Sequence, residues 1–216
     1  MSEPVKRDYR SELRAAQAAS TRRAIVSVAA RLFVDAGYGA TTIDAVAEAA
    51  GVSRKTVFTA VGGKVDLLKT ALDWAVAGDD VPLQVAERPM MRELLAGDDP
   101  VEMLAGWVRF TVEVDTRVAG LFRALEIAAD SDDGALCVLE VAQEQRLAGA
   151  REVVNRIVRL DALNGALTRA AAVDVAWLAS DPVLFDRFVR VRGWTVKAFE
   201  AWLRRSLTTQ LLAVPS

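Results

Sequence analysis

Apolar side chains recur at intervals of three and four residues along most of the chain, which is the period of an amphipathic helix. Runs in which apolar and polar residues alternate, as they do in strands, are short. The pattern predicts helices over about 64–77, 100–115, 118–129, 135–160, 167–179 and 194–212, with a short helical piece near 184–191. We therefore expect an all-α fold.

One long helix and two short ones are predicted near the amino end. An apolar stripe over 25–36 marks the first helix, which ends at Gly37. Thr41 or Thr42 can cap the second helix, and Gly51 separates it from the third. Helices of about two turns are unstable alone and must be held by packing. This is the sequence form of a helix-turn-helix, whose second helix fits the major groove of DNA.

The exposed positions of that third helix suit contact with DNA. Arg54 and Lys55 lie in its first turn, from which donors can reach guanine edges, and Thr56 and Thr59 offer hydroxyls. A tight helical corner with solvated charges is the alternative interpretation of the same pattern.

The distribution of charge supports this interpretation in part. The 216-residue chain carries 27 Lys and Arg against 29 Asp and Glu. Residues 1–70 hold 11 basic and 7 acidic side chains, whereas residues 71–216 hold 16 and 22. A basic amino end on an acidic body favours a nucleic-acid footprint at one end, although random scatter of surface charge can also produce such a split.

Composition excludes several other classes of protein. One cysteine and no histidine exclude an internal disulfide, the Ser-His-Asp and Cys-His nucleophiles and the common zinc sites. The longest uncharged stretch, 206–216, is 11 residues, too short to span a membrane, and the amino end lacks a signal-peptide pattern. We expect a cytoplasmic protein that uses no metal or cofactor.

The segment 21–72 resembles the DNA-binding domain of TetR-family (tetracycline-repressor-like) transcriptional regulators. The resemblance rests on FVDAGYGATT at 33–42, on the short-helix pair and on TVFTAVGGKVDLL at 56–68. It implies a three-helix helix-turn-helix domain at 21–66, preceded by an arm at 1–20. A larger helical domain for effector binding and dimerisation would occupy 67–216, where the likeness is one of helical layout.

The resemblance further implies a homodimer that binds a palindromic operator and represses a nearby promoter. A small apolar or amphipathic effector would release it. The residues that match the family's DNA-contacting positions are Thr42, Arg54, Lys55, Thr56, Phe58, Thr59 and Lys64. Arg22 and Arg23 are expected to contact the DNA backbone, and basic residues of the arm either reach DNA or form a solvated tail. The family usually has tyrosine where this chain has Phe58, which removes one phosphate contact.

Two sets of residues in the body are candidates for the effector pocket and the dimer seam. The aromatic and methionine side chains expected around the effector are Met103, Trp107, Phe110, Phe122 and Trp177, with ordinary core as the alternative. Polar anchoring is left open among Arg109, Arg123, Glu126 and Gln143. The seam residues on the last two long helices are Val175, Ala176, Phe199, Trp202, Leu203 and Leu207, with burial inside the same chain as the alternative.

Two rival functions remain at this stage. One is a helical DNA-binding protein whose body is solid core and takes no effector. The other is an all-helical enzyme in which Asp130, Asp132 and Asp133 hold Mg²⁺, although such carboxylates more often cap helices. We expect that the protein is not an enzyme.

Overall fold

The computed structural model describes residues 5–80 and 89–213, which contain helices and, outside them, an isolated bridge between Leu163 and Leu212. A π-helical turn, Asp186–Val191, precedes the last helix. The helices are α1 (Val5–Asp35), α2 (Gly37–Ala40), α3 (Ile43–Ala49), α4 (Arg54–Ala60), α5 (Lys64–Ala77), α6 (Pro89–Ala96), α7 (Pro100–Ala129), α8 (Asp133–Arg159), α9 (Arg169–Ala179), α10 (Pro182–Phe185) and α11 (Val196–Leu211). The all-α prediction is confirmed.

Helix boundaries follow the local signals in most places. The helix predicted over 64–77 has these bounds, and it ends at Gly78, whose φ of +81° is the left-handed conformation that closes helices. Thr42 rather than Thr41 caps α3, because the Thr42 hydroxyl accepts the amide of Ala45 at 3.1 Å. The Thr41 hydroxyl is instead buried and donates to the carbonyl of Gly37.

Two boundaries differ from the sequence prediction. The helices predicted over 100–115 and 118–129 are one continuous helix, α7, because residues 115–117 contain no helix breaker and the Thr116 hydroxyl bonds the Val112 carbonyl at 2.8 Å within the helix. The first helix begins at Val5, so residues 5–20 of the expected arm are helical. Residues 1–4 of the expected arm lie outside the described residues.

The described chain has two hydrophobic cores, and α7 contributes to both. The amino-terminal half of α7, from Met103 to Val112, packs with α8, α9 and α11 in the body. Its carboxy-terminal half, from Val118 to Ala128, packs with α1, α3, α4 and α5. The core of the helix-turn-helix region therefore extends past residue 66 and includes one side of the body's longest helix.

Within residues 5–80 and 89–213, no helix combines the length and the apolar character that crossing a bilayer requires.

Because α7 serves both cores, we predict that the chain unfolds as one cooperative unit. Leu104→Ala in the body core and Leu125→Ala in the amino-terminal core each remove a fully buried side chain, which should cost about 2–5 kcal/mol. Both variants should lower the midpoint of the same thermal transition, followed by circular dichroism and by tryptophan fluorescence at one protein concentration.

Ile127→Ala is the matched control, since Ile127 lies on the same helix and is 56% exposed. It should leave the midpoint nearly unchanged. Two separate transitions, each lowered by only one of the core variants, would show that the cores fold independently.

Candidate nucleic-acid interface and effector site

The short-helix pair is held from its inner side. Val46, Ala47 and Val57 are almost completely buried against α1, and the small side chain of Ala47 lies where α3 and α4 pack together. Gly51 turns the chain with a φ of +66°, and the amide of Val52 donates to the carbonyl of Ala47 at 2.9 Å. Within residues 5–80 and 89–213, this packing leaves the outer face of α4 uncovered.

The outer face of α4 presents one guanidinium, one ammonium and one aromatic ring. Arg54, Lys55 and Thr59 are exposed, and the Phe58 ring is 46% exposed. The Arg54 guanidinium lies 3.0 Å from a carboxylate oxygen of Asp44 on α3 and 5.7 Å from the centre of the Phe58 ring. These weak surface contacts orient Arg54 outward and are readily exchanged for a stronger partner.

The hydroxyls predicted to face DNA already have roles in the helix pair. Thr42 and Ser53 cap α3 and α4, and the hydroxyl of Thr56 lies 2.8 Å from that of Ser53. The Thr59 hydroxyl donates to the Lys55 carbonyl within α4. Each is a surface hydroxyl whose remaining lone pair or proton is available to solvent or to a phosphate.

Lys64, at the first position of α5, lies against α2. Its ammonium lies 4.0 Å from the centre of the Tyr38 ring and donates to the carbonyl of Gly39 at 3.5 Å. Partial burial lowers the pKa of Lys64, while the carboxylate of Asp132 acts in the opposite direction. The side chain is half-buried and restrained rather than freely solvated.

Arg22 and Arg23 make contacts inside the chain. The Arg22 guanidinium donates to the Ala60 carbonyl at 2.9 Å and so holds the end of α4 against α1, while Arg23 pairs with Asp80 at 2.5 Å. A phosphate contact by either side chain, as the sequence predicts, competes with these bonds.

The five predicted pocket residues divide between burial and partial exposure. Met103, Trp107 and Phe122 are almost fully buried, whereas Phe110 and Trp177 are half-buried. Phe122 belongs to the amino-terminal core, and the other four residues belong to the body core. The structure brings Phe122 and Trp177 together around a residue that the sequence interpretation did not include, Arg146.

Arg146 of α8 joins three helices. Its guanidinium lies 5.8 Å from the centre of the Phe122 ring on α7 and 5.4 Å from that of the Trp177 ring on α9. It donates to the carbonyls of Trp177 and Ser180 at 2.9 and 3.1 Å, and lies 3.2 Å from a carboxylate oxygen of Asp181. Only 14% of the side chain is exposed, so this is a nearly buried cation with its charge neutralised by one carboxylate.

Asp115 is a second carboxylate beside this cation, and it is 2% exposed. Among the described residues, its Oδ2 atom and the indole Nε1 of Trp177 have no hydrogen-bond partner. Burial raises the pKa of Asp115 well above its ordinary value; the positive charge of Arg146 opposes this rise, and the negative charge of Asp181 adds to it. A buried acceptor and a buried donor, neither with a partner among the described residues, thus lie near one cation.

Of the four candidate polar anchors, Glu126 is the one that the structure places by this cluster. It is half-buried, and burial followed by the charge of Asp181 raises its pKa. Arg123 is mostly exposed and lies 3.7 Å from Asp186, and Arg109 and Gln143 are exposed.

Asp115 can be recognised in the sequence from the helical period of α7. This residue interrupts the apolar stripe that runs from Val108 and Val112 to Ala119 and Phe122.

The described residues also outline an open cleft of about 360 Å³ between α1 and α5. None of the five predicted pocket residues lines it.

Four of the six predicted seam residues are buried within the chain itself. Ala176, Phe199, Leu203 and Leu207 are at most 2% exposed and belong to the body core, which is the alternative considered for them. Val175 and Trp202 are half-buried. The large apolar side chains that α9 and α11 expose are Leu178, which is 60% exposed, and Val196, which is 39% exposed.

Two of the three aspartates considered for Mg²⁺ have structural roles. Asp132 caps α8, and its other oxygen accepts the Tyr38 hydroxyl, while Asp130 closes the end of α7. No group of three or more potential ligands that could hold a metal ion is found in the described part of the chain.

Comparison with known proteins agrees with this geometry. Residues 25–71 match the family model described as bacterial regulatory proteins, tetR family. A search of curated proteins gives no match.

Several solved structures share the fold. NalD, the secondary repressor of the MexAB-OprM multidrug efflux pump in Pseudomonas aeruginosa, is 19% identical with a TM-score of 0.67, over 90% of this chain and 98% of that one. A SmeT–triclosan complex is 19% identical with a TM-score of 0.66, over 91% and 96% of the two chains. The fatty acid degradation regulator FadR from Bacillus halodurans is 14% identical with a TM-score of 0.65, over 86% and 93%.

The sequence match covers the helix-turn-helix and the first part of α5, and the structural likeness covers both cores. Residues 25–71 therefore carry the segment described by the tetR family model, and the described chain shares its fold with regulators such as NalD.

Proposed function

We propose that the protein is a homodimeric repressor that binds a palindromic operator through α4 and is released when a small apolar or amphipathic molecule binds in the body. The observation that supports this most directly is the outer face of α4, where Arg54, Lys55 and Phe58 are exposed on a helix pair fixed from behind. Base contacts then fall to Arg54, Lys55 and Thr59, and backbone contacts to Thr42, Thr56 and Lys64.

The effector site that we propose lies between α7, α8 and α9, around Phe122, Arg146 and Trp177. The aromatic rings supply the apolar surface that an amphipathic molecule needs. Asp115 offers an acceptor and the Trp177 indole offers a donor, so the effector would carry a donor and an acceptor of its own. SmeT, whose complex contains triclosan, and the fatty acid degradation regulator FadR of Bacillus halodurans have the same fold, which supports a ligand-responsive body here.

The dimer that we propose uses the outer sides of α9 and α11. The buried seam candidates would support this face from behind, while Leu178 and Val196 lie on it. Dimerisation matters for the function because two recognition helices must enter major grooves about 34–36 Å apart, or a multiple of that distance. A regulator of this kind acts in the compartment that holds the DNA, the cytoplasm, and needs no catalytic residue.

Selection of bound duplexes from random DNA tests the proposal as a whole. The wild-type protein should enrich a palindrome, and its affinity should fall steeply with salt. If no duplex is enriched, the proposed function is wrong. If a palindrome is enriched but no compound shifts the melting temperature, the protein is a DNA-binding protein without an effector.

We predict that Arg54→Ala and Lys64→Ala weaken DNA binding in different ways. Arg54→Ala should cost about 1–3 kcal/mol on the preferred palindrome and much less on random duplex, because it removes a base contact. Lys64→Ala should weaken binding to both duplexes alike and lower the slope of log affinity against log salt by about 1, because it removes a phosphate contact. Fluorescence anisotropy at several salt concentrations measures both effects.

Asp44→Asn is the control for Arg54. It frees the guanidinium from its partner on α3 without removing it, and should leave sequence preference intact. Equal losses on specific and random DNA in both alanine variants would contradict the division into base and backbone contacts.

We predict that Asp115 makes stability depend on pH. Since its folded pKa is raised, the folded state holds the proton more tightly than the unfolded chain. The free energy of unfolding should therefore fall as pH rises from the ordinary range of a carboxyl group toward the raised value. Asp115→Asn should remove this fall, and it should weaken the melting shift given by any compound that stabilises the wild type. Urea denaturation at a series of pH values measures the first effect.

Glu113→Gln, on an exposed position of the same helix, is the matched control and should keep the wild-type pH dependence. The same dependence in Asp115→Asn and the wild type would show that Asp115 is ionised or bonded in the folded state.

We predict that Leu178→Glu converts the protein into a monomer, because it places a charge at the centre of the proposed dimer face. Sedimentation velocity at micromolar concentration measures the change. Ile127→Glu, which charges an equally exposed position on α7, should leave the dimer intact. A monomeric wild type, or a dimer that survives Leu178→Glu, would contradict the proposed face.

A further inference from the structure

A hydrogen bond between Tyr38 and Asp132 links the helix-turn-helix region to the start of α8 in the body. The Tyr38 hydroxyl, on the short helix α2, donates to Oδ2 of Asp132 at 2.6 Å, between residues 94 positions apart in the sequence. The Tyr38 side chain is 8% exposed and its ring stacks on Phe33 with centres 5.8 Å apart. The ring is therefore held on one side by packing and at its hydroxyl by a carboxylate.

That carboxylate is itself fixed. Oδ1 of Asp132 accepts the amides of Gly134 and Ala135 at 3.0 and 3.2 Å, which caps α8. The hydrogen bond from Tyr38 and these backbone bonds lower the pKa of Asp132, so the group stays ionised at neutral pH. The position of Tyr38 thus follows the position of the turn between α7 and α8.

The Tyr38 ring also contacts Lys64, which we propose to bind a phosphate of the DNA. The Lys64 ammonium lies 4.0 Å from the centre of the ring. The next residue, Val65, packs on the first turn of α8: a Cβ added to Gly134 would lie 3.4 Å from the nearest methyl group of Val65. The start of α5 and the start of α8 are therefore adjacent.

We propose that Tyr38 and Asp132 are positioning residues for DNA binding: Asp132 fixes the Tyr38 ring, and the ring holds the Lys64 ammonium in place for a phosphate of the operator. We call this pair the Tyr38–Asp132 tether. A lysine side chain has many rotamers, and restraining them before DNA arrives reduces the entropy lost on binding. The tether has a second consequence, because its anchor belongs to the body.

The tether gives the body a direct route to the DNA-binding surface. Glu126, which is electrostatically coupled to Arg146 and Asp181 of the proposed effector site, lies six residues before Asp132 on the same helix and turn. A ligand that displaces the end of α7 would move Asp132, loosen the Tyr38 ring and release Lys64. This inference rests on the proposed function, but the tether itself exists without DNA and can be measured without it.

The first experiment detects the tether in the free protein. The sequence has two tyrosines, so 3-fluorotyrosine in a Tyr9→Phe background gives a single ¹⁹F signal, from position 38. Burial, the hydrogen bond to Asp132 and its negative charge raise the pKa of the Tyr38 phenol. In the Asp132→Asn variant the pKa read from the ¹⁹F titration should move down toward that of free fluorotyrosine. Asparagine caps helices as well as aspartate does, so α8 should keep its start.

The second experiment measures the positioning role. Tyr38→Phe keeps the ring and removes the hydroxyl, and it should weaken binding to the selected palindrome by about threefold or more. The same substitution in a Lys64→Ala background should change affinity little, because the residue on which it acts is gone. A merely structural role of Tyr38 would give equal losses in both backgrounds.

Each outcome decides a separate point. An unchanged ¹⁹F titration in Asp132→Asn overturns the tether, whatever happens with DNA. A normal tether with equal losses in both backgrounds overturns the positioning role and leaves the proposed function standing. Failure of the wild type to bind any duplex overturns the proposed function and the positioning role together, while the titration still decides whether the tether exists.

Discussion

The packing of α7 into two hydrophobic cores is the constraint on which the rest of the structure depends. Its 30 residues extend over about 45 Å, and nearly every turn is buried. The first half completes the body, and the second half closes the core beneath the helix pair. Helices as short as α3 and α4 owe their stability to this kind of tertiary packing. The proposed DNA-binding face of α4 is thus supported by α7, a helix that also lines the proposed effector site.

In this arrangement, the proposed effector site and the DNA-binding region are connected through helices that pack directly on α7. Phe122 and Glu126 lie on the half of α7 that supports α1 and α5, while Arg146 and Trp177 approach it from α8 and α9. A ligand at the proposed effector site would act by preferring one placement of α7 over another, and by no more than that preference. The contact of Tyr38 with Asp132 adds a polar link between α2 and the residue that caps α8.

The sequence predicted those elements whose signals are local. Gly78 after an apolar stripe gave the end of α5, and the pattern around Gly51 gave the helix pair, because capping and turn formation depend on a few neighbouring residues. The break predicted near residue 116 was wrong, since polar residues inside a long helix are tolerated when tertiary packing supports both halves. Propensity is a weak prior in such a case.

Contacts between side chains on different helices could not be predicted from the sequence in the same way. A charged residue on an apolar stripe, such as Asp115, is visible in the periodicity, but its neighbours on other helices are not. The pairing of Tyr38 with Asp132 carries no local signal at all, because the residues are separated by 94 positions and meet only when the two cores share α7. The same holds for Arg146, whose partners come from three other segments.

Gly120 marks a close approach between α7 and α1. A methyl group added there would lie 2.8 Å from a nitrogen of Arg190 and 3.0 Å from both methyl groups of Val34 on α1. Arg190 can move its flexible guanidinium aside, whereas Val34 is branched at Cβ, stiff in a helix and fixed to α1, so α7 and α1 pack closely at this level. A slide or tilt of α7 at this level is therefore passed on to α1, the helix that carries the amino-terminal core, instead of being lost in deformable packing.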